Sequence, residues 1–147
     1  MANARVMGID YGSVRIGISV SDETNTIAFG KDVIANDKNC LAKISLFIKE
    51  YSIGKIILGY PLSLGGNRSA QTLKVEEFEV TLKNYLNTSF REGSVNVIRW
   101  DERFTSKMAL DSMFESGMKK KKRQQKSNLD IISAALLLQS YLDGMKK

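Results

Sequence analysis

Histidine is absent from the 147 residues of this chain, which also holds a single cysteine and a single proline. Without histidine there is no Ser-His-Asp or Cys-His nucleophile, no histidine general base and no histidine-ligated zinc. Any chemistry falls to carboxylates, Lys, Arg, hydroxyls, backbone amides or a hard metal. Hard cations prefer oxygen donors, so converging carboxylates would call for Mg²⁺ or Mn²⁺. The lone Cys40 has no partner for an internal disulfide, which fits a reducing compartment. No apolar run approaches the roughly 20 residues of a membrane span. The opening MANARVMG lacks the apolar stretch of a signal peptide. A cytoplasmic protein with no membrane partner is expected. At 43% hydrophobic and 26% charged residues the chain can bury one core, so a single domain over residues 1–147 is expected.

Acid is missing from one stretch in particular. Between Glu115 and Asp130 stand Lys119, Lys120, Lys121, Lys122, Arg123 and Lys126 with no carboxylate among them. The net charge is +6, and without these six cations the remaining basic residues equal the 16 acidic ones. Such a run in an otherwise neutral chain is either a solvated loop or a site for a polyanion. No apolar residue follows Met118 within the run, so it is not an amphipathic membrane helix, and nucleic acid is the better partner.

The first strand pair organises the rest. Arg5–Asp10 and Arg15–Ser21 read as strands around a turn at Gly12 and Ser13, with Ile16, Ile18 and Val20 on one face and Gly17, Ser19 and Ser21 on the other. Thr26–Ala35 reads as a third strand interrupted by Gly30 and Lys31, and Asp37 as the cap of a helix to about Tyr51 with Leu41, Ile44, Phe47, Ile48 and Tyr51 buried. Lys55–Gly59 is wholly apolar beyond its lysine, as in a parallel strand covered on both faces. After the loop YPLSLGGNRS, Ser69 caps a helix to about Asn87 that carries Leu73, Phe78, Leu82, Tyr85 and Leu86 on one side. Asn96–Trp100 is the next strand. Thr105 or Ser106 caps a helix through Met113 ending near Gly117, and Asn128 caps a last helix, Leu129 to Leu142, closed by Gly144. The order β-β-β-α-β-α-β-α-α gives an α/β fold with a mixed sheet and helices on both faces.

Ligands of open α/β sheets collect beyond the carboxyl ends of the strands. Asp10 ends the first strand there, as a turn former or as a cleft carboxylate. Of the neighbours Asp101 and Glu102, alternation lets one face the cleft; Glu102 is assigned to it and a structural role to Asp101. Asp130 lies in the first turn of the expected last helix, where an acid complements the helix dipole. It also begins a stripe with Ala134, Leu137 and Tyr141, which turns it towards the sheet. Three carboxylates share a small site only around a cation. Two Mg²⁺ ions roughly 3.5–4 Å apart would suit both the acids and a phosphodiester. Arg15 and Arg103 are phosphate contacts, through bidentate guanidinium bonding, or else ion-pair partners of the nearby acids.

The blocks GIDYGSVRIGISVSD, GYPLSLGG, DERFTS and the basic run before LDIISAALLLQ together resemble the YqgF family, over Val6 to Leu142 and in the family's order. These proteins are described as pre-16S rRNA nucleases and as Holliday-junction-resolvase-like, with a ribonuclease H-like fold. The resemblance implies a five-stranded mixed sheet with its first three strands antiparallel. It implies a metal-dependent nuclease with Asp10, Glu102 and Asp130 as catalytic, Mg²⁺- or Mn²⁺-holding acids. Arg15, Arg103 and Thr105 match family residues near the site, and Lys119, Lys120, Lys121, Lys122 and Arg123 would add backbone-phosphate contacts. Ser19 stands where the family often has Ala, and Ser106 where it often has Thr. The expected activity is trimming of the 5′ end of 16S rRNA precursor by a monomer. The alternatives are resolution of branched DNA, which needs a two-fold dimer, and a non-catalytic nucleic-acid-binding assembly factor. Nucleotide binding through DYGSVRIG would need a second phosphate loop and a longer, two-lobed chain.

Overall fold

The computed structural model describes residues 4–63, 65–104 and 122–145. Five strands, β1 (Arg5–Tyr11), β2 (Arg15–Ser21), β3 (Ala28–Ala35), β4 (Ile53–Tyr60) and β5 (Asn96–Asp101), form one sheet in the order β3-β2-β1-β4-β5. β1, β2 and β3 pair antiparallel, while β4 joins β1, and β5 joins β4, in parallel. The helices are α1 (Cys40–Tyr51), α2 (Ala70–Ser89) and α3 (Lys122–Gly144), with a short 3₁₀ turn at Glu102–Phe104. This is the ribonuclease H-like mixed sheet that the YqgF resemblance implied.

Strand alternation sorts the two faces. Met7, Ile9, Ile16, Ile18, Val20, Ile56 and Leu58 bury against Ile44 and Ile48 of α1 and Val75, Phe78, Leu82 and Leu86 of α2. On the other face Val6 and Ile57 pack against Leu138, Tyr141 and Leu142 of α3. Most of the remaining positions on that second face are small. A Cβ at Gly8 would stand 2.9 Å from the Leu138 Cβ, and one at Gly17 would stand 2.5 Å from the Asp130 carbonyl oxygen. The helix therefore lies nearly on the strand backbone, which only glycine permits. Ser19, fully buried there, donates its hydroxyl to the Ala134 carbonyl at 2.7 Å, so the departure from the family's usual Ala is satisfied by α3 itself.

Several expected boundaries move. In β3 the partners step from Asp32 opposite Ile18 to Gly30 opposite Ser19, leaving Lys31 as the extra residue of a bulge, the irregularity that Gly30 and Lys31 signalled. Asn39, not Asp37, is the N-cap of α1, and Asp37 instead accepts the Asn39 backbone N–H at 2.9 Å. On α2, Leu73 is 49% exposed, and Val75 takes the place expected for it in the core. Ser69 does cap α2, in a reciprocal box with Thr72. The last helix already includes Lys122 and runs on through Asn128, which therefore does not cap it, since Lys, Arg and Gln before it favour helix. The expected helix from Thr105 or Ser106 through Met113 lies outside the described residues. Cys40 is buried, and burial pushes its thiol pKa up. Among the described residues no helix is long and apolar enough to cross a membrane.

Candidate active site

Asp10 is the last residue but one of β1 and is only 6% exposed. Since Met7 and Ile9 face α1 and α2, alternation turns Asp10 to the α3 face. Its partner on β2 is Gly17, and on the β4 side the ladder Ile9↔Leu58 makes Gly59 the next residue beside it. Each glycine gives room to a segment that carries one of the other acids. The Gly17 position backs onto the Asp130 carbonyl, and a Cβ on Gly59 would meet the Glu102 Oε1 at 2.7 Å and the Leu137 Cδ2 at 3.2 Å. The segments carrying Asp130 and Glu102 thus lie on either side of Asp10, at the carboxyl end of the parallel strands. Sequence reasoning singled out the three acids and missed the two glycines. The signal was present, since an isolated Gly inside a strand marks a close approach.

The side chains are less gathered than the backbone. Asp130 Oδ2 accepts from Arg15 Nε at 2.7 Å, a half-buried ion pair between the start of β2 and α3. Of the two readings of Arg15, the structure holds the ion pair. The same is true of Arg103, whose backbone N–H and guanidinium both bond the Asp101 carboxylate, at 2.9 and 2.6 Å. That guanidinium holds the Asp101 carboxyl below the usual carboxylate range. The bond gives Asp101 the structural role expected of it. Arg103 also reaches the loop after β4, where a Cβ at Gly66, whose φ is +84°, would stand 3.3 Å from Nη1. Among the described residues no three or more Cys, Asp and Glu side chains form a group that could hold a metal ion. The donors are nevertheless carboxylate oxygens, the set that suits Mg²⁺ or Mn²⁺. The gaps at Gly17 and Gly59 bring the three acid-bearing segments to one end of the sheet. The set fits a hard divalent cation in kind, and one oxygen of Asp130 is held by Arg15.

Thr105, Lys119, Lys120 and Lys121 lie outside the described residues, as do the side chains of Lys122 and Arg123, although the last two begin α3. A second charged cluster sits on the α2 side. Glu79 is buried and accepts from Arg99 Nε and Nη2 at 2.9 and 2.7 Å. Burial alone would raise the Glu79 carboxyl; the Arg99 bonds outweigh it and leave it lowered. That pair is satisfied within the fold.

The model of the family described as RuvX, Holliday junction resolvase, matches residues 4–144. The chain belongs to this family. Among its curated relatives, a protein of Ruminiclostridium cellulolyticum named "Putative pre-16S rRNA nuclease" is 38% identical, with 97% of this chain and 99% of the relative covered. One of Flavobacterium psychrophilum with the same name is 41% identical over 94% of this chain and 96% of its own. These are the relatives that the YqgF-like blocks implied. Among solved structures, RuvC of Thermus thermophilus in complex with a Holliday junction substrate superposes with a TM-score of 0.60 at 15% identity, covering 97% of this chain and 96% of RuvC. The fowlpox virus resolvase with Holliday junction DNA gives 0.56 at 14% identity, covering 97% and 99%. At that identity the likeness is one of fold. A RuvX-family chain is a member of a nuclease family that acts on phosphodiester bonds.

Proposed function

We propose that this protein is a divalent-metal-dependent nuclease that trims the 5′ end of 16S rRNA precursor in ribosome biogenesis, acting in the cytoplasm as a monomer and as one domain over residues 1–147. The observation that carries the reading is the buried Asp10 set between Gly17 and Gly59, with the Asp130 and Glu102 segments against those glycines. Near-full-length relatives named for pre-16S rRNA support the substrate. Asp10, Glu102 and Asp130 would hold Mg²⁺ or Mn²⁺. Such an ion lowers the pKa of a water and stabilises charge on the phosphodiester oxygens.

The chain's own residues do the rest. Asp10, fixed by the β1 ladder on both sides, is the rigid member of the set. Asp130 is the exchangeable one: when its carboxylate turns to the site, the Arg15 guanidinium is freed and can grip a phosphate oxygen pair. Arg103, aligned by Asp101 beneath the Gly66 loop, presents a second cation at the strand ends. Thr105 adds a hydroxyl just after the Glu102–Phe104 turn. Lys119, Lys120, Lys121, Lys122 and Arg123 supply sequence-independent attraction to backbone phosphate. Replacing Lys119 to Lys122 with Gln should weaken RNA and DNA binding alike. It should also flatten the log–log salt dependence by about 0.7 to 0.9 for each phosphate no longer neutralised. Filter binding across a salt series reads this directly, and an unchanged slope would leave the run a solvated segment.

Branched DNA is the second reading, favoured by the family's description and by the junction complexes among the structural neighbours. Symmetry separates the two: paired cuts across a junction need two linked sites, whereas trimming one end needs one. The deciding experiment measures mass in solution and then single-turnover cleavage of a 5′-extended 16S precursor and a four-way junction at matched salt. The expected result is a monomer that processes the precursor in preference to the junction. A stable two-fold dimer making symmetric nicks in the junction, with the RNA intact, would replace this reading by the second. Inactivity on both, with normal binding by an Asp10→Asn protein, would leave a non-catalytic assembly factor.

A further inference from the structure

Serines and threonines inside helices ordinarily return their hydroxyl to a carbonyl one turn back. Thr81 and Thr88 of α2 do so, to the Glu77 and Tyr85 carbonyls at 3.1 and 2.9 Å. Ser133 of α3 does not: it is 1% exposed and its Oγ has no hydrogen-bond partner. A buried hydroxyl in that state needs an explanation, because water is lost and nothing replaces it.

The flank of α3 that carries Ser133 indicates what it faces. Positions i, i+4 and i+7 share a stripe, so Ser133 aligns with Leu137 and Ser140. Leu137 packs against Gly59 of β4, and Ser140 takes a 3.0 Å hydrogen bond from Trp100 Nε1 of β5. The opposite flank faces the other half of the sheet, with Ile131 against Gly30 of β3. α3 runs antiparallel to β4, for Tyr141 meets Lys55 near the start of that strand and Leu137 meets Gly59 near its end. One turn before Leu137, Ser133 therefore stands beyond the end of β4, on the side where Glu102 approaches Gly59.

We propose that Ser133 is a positioning residue of the acid site, its hydroxyl donating to the Glu102 carboxylate when a divalent cation draws the three acids together. The proposal rests on the acid-site reading above. It explains why this buried hydroxyl lacks the partner that Ser19, on the same face, finds in the Ala134 carbonyl. The hydroxyl has no partner until Glu102 turns, and then fixes the carboxylate oxygen that the cation does not use. Groups that orient metal ligands in this way typically contribute ten- to hundredfold in metal affinity.

The test is Mn²⁺ binding by calorimetry, together with thermal unfolding in chelator and in Mn²⁺, for the full-length wild type, Ser133→Ala and Asp10→Asn. Ser133→Ala should weaken Mn²⁺ binding by about tenfold and shrink the Mn²⁺-induced rise in Tm. In chelator its Tm should be no lower than that of wild type, since only an unpartnered hydroxyl is removed. Asp10→Asn should abolish Mn²⁺ binding. Wild-type Mn²⁺ affinity in Ser133→Ala, with loss in Asp10→Asn, would refute the role of Ser133 and leave the acid site standing. A lower Tm in chelator with unchanged affinity would make the hydroxyl structural, which also overturns the proposal. Unaltered Mn²⁺ binding by Asp10→Asn, or none by wild type, would remove the acid-site reading and Ser133 with it.

Discussion

Asp10→Asn should lower metal-dependent cleavage by about three orders of magnitude, some 4 kcal/mol of transition-state stabilisation, while the protein stays folded. Asn fills the same volume, and β1 keeps its ladder to β2 and β4, so nothing in the strand pairing depends on the charge. In metal-free buffer the Tm should stay close to that of wild type, because Asn keeps the side-chain volume and the strand pairing on both sides. Asp130→Asn should abolish cleavage too, with a different side effect. It removes the charge that Arg15 bonds at 2.7 Å, a half-exposed pair worth at most about 1 kcal/mol. Its Tm should therefore fall slightly below that of Asp10→Asn. Single-turnover rates at saturating Mn²⁺ and thermal unfolding in chelator measure both. Near-wild-type, metal-dependent rates in both variants would mean that the acids serve the fold alone.

The three acids were legible because each sits at an element end, where a carboxylate among apolar neighbours stands out. The α1/α2 face was legible too, since Ile16, Ile18 and Val20 alternate and are all buried. The opposite face was not. Gly17, Ser19 and Ser21 carry no hydrophobic signal, yet Ser19 and Ser21 are almost wholly buried and α3 lies against the Gly17 backbone. Periodicity registers large apolar side chains, whereas this interface is built by leaving them out. Leu73 erred the other way: standing five residues before Phe78, it lies off the helical stripe of Val75, Phe78, Leu82 and Leu86, and it is exposed. The ion pairs Arg15–Asp130 and Asp101–Arg103 were foreseeable only as alternatives. The first joins residues 115 apart in sequence, which no local pattern specifies.

The two glycines beside Asp10 should respond differently to the same substitution, because one meets backbone and the other meets the ends of side chains. At Gly17 an added methyl would stand 2.5 Å from the Asp130 carbonyl oxygen and 3.2 Å from the Ala134 Cβ. Neither can rotate away, so α3 must lift from the sheet. Gly17→Ala should cost about 2 kcal/mol, the usual scale of overpacking, or roughly 4–8 °C in Tm for a chain of this length. It should also reduce cleavage about a hundredfold, as a displacement near 1 Å at a reacting centre does. At Gly59 the methyl meets Glu102 Oε1 at 2.7 Å, Leu137 Cδ2 at 3.2 Å and Glu102 Cγ at 3.3 Å, all on flexible side chains. Glu102 can swing aside and Leu137 can change rotamer, so Gly59→Ala should shift Tm by only a degree or two. The carboxylate that swings aside is one the reaction needs, and cleavage should again fall about a hundredfold. Thermal unfolding paired with single-turnover cleavage separates the two cases. Full activity in Gly59→Ala would show that Glu102 does its work from elsewhere than the gap beside Asp10. A Gly17→Ala protein as stable as wild type would show that α3 yields at that point more easily than its backbone packing implies.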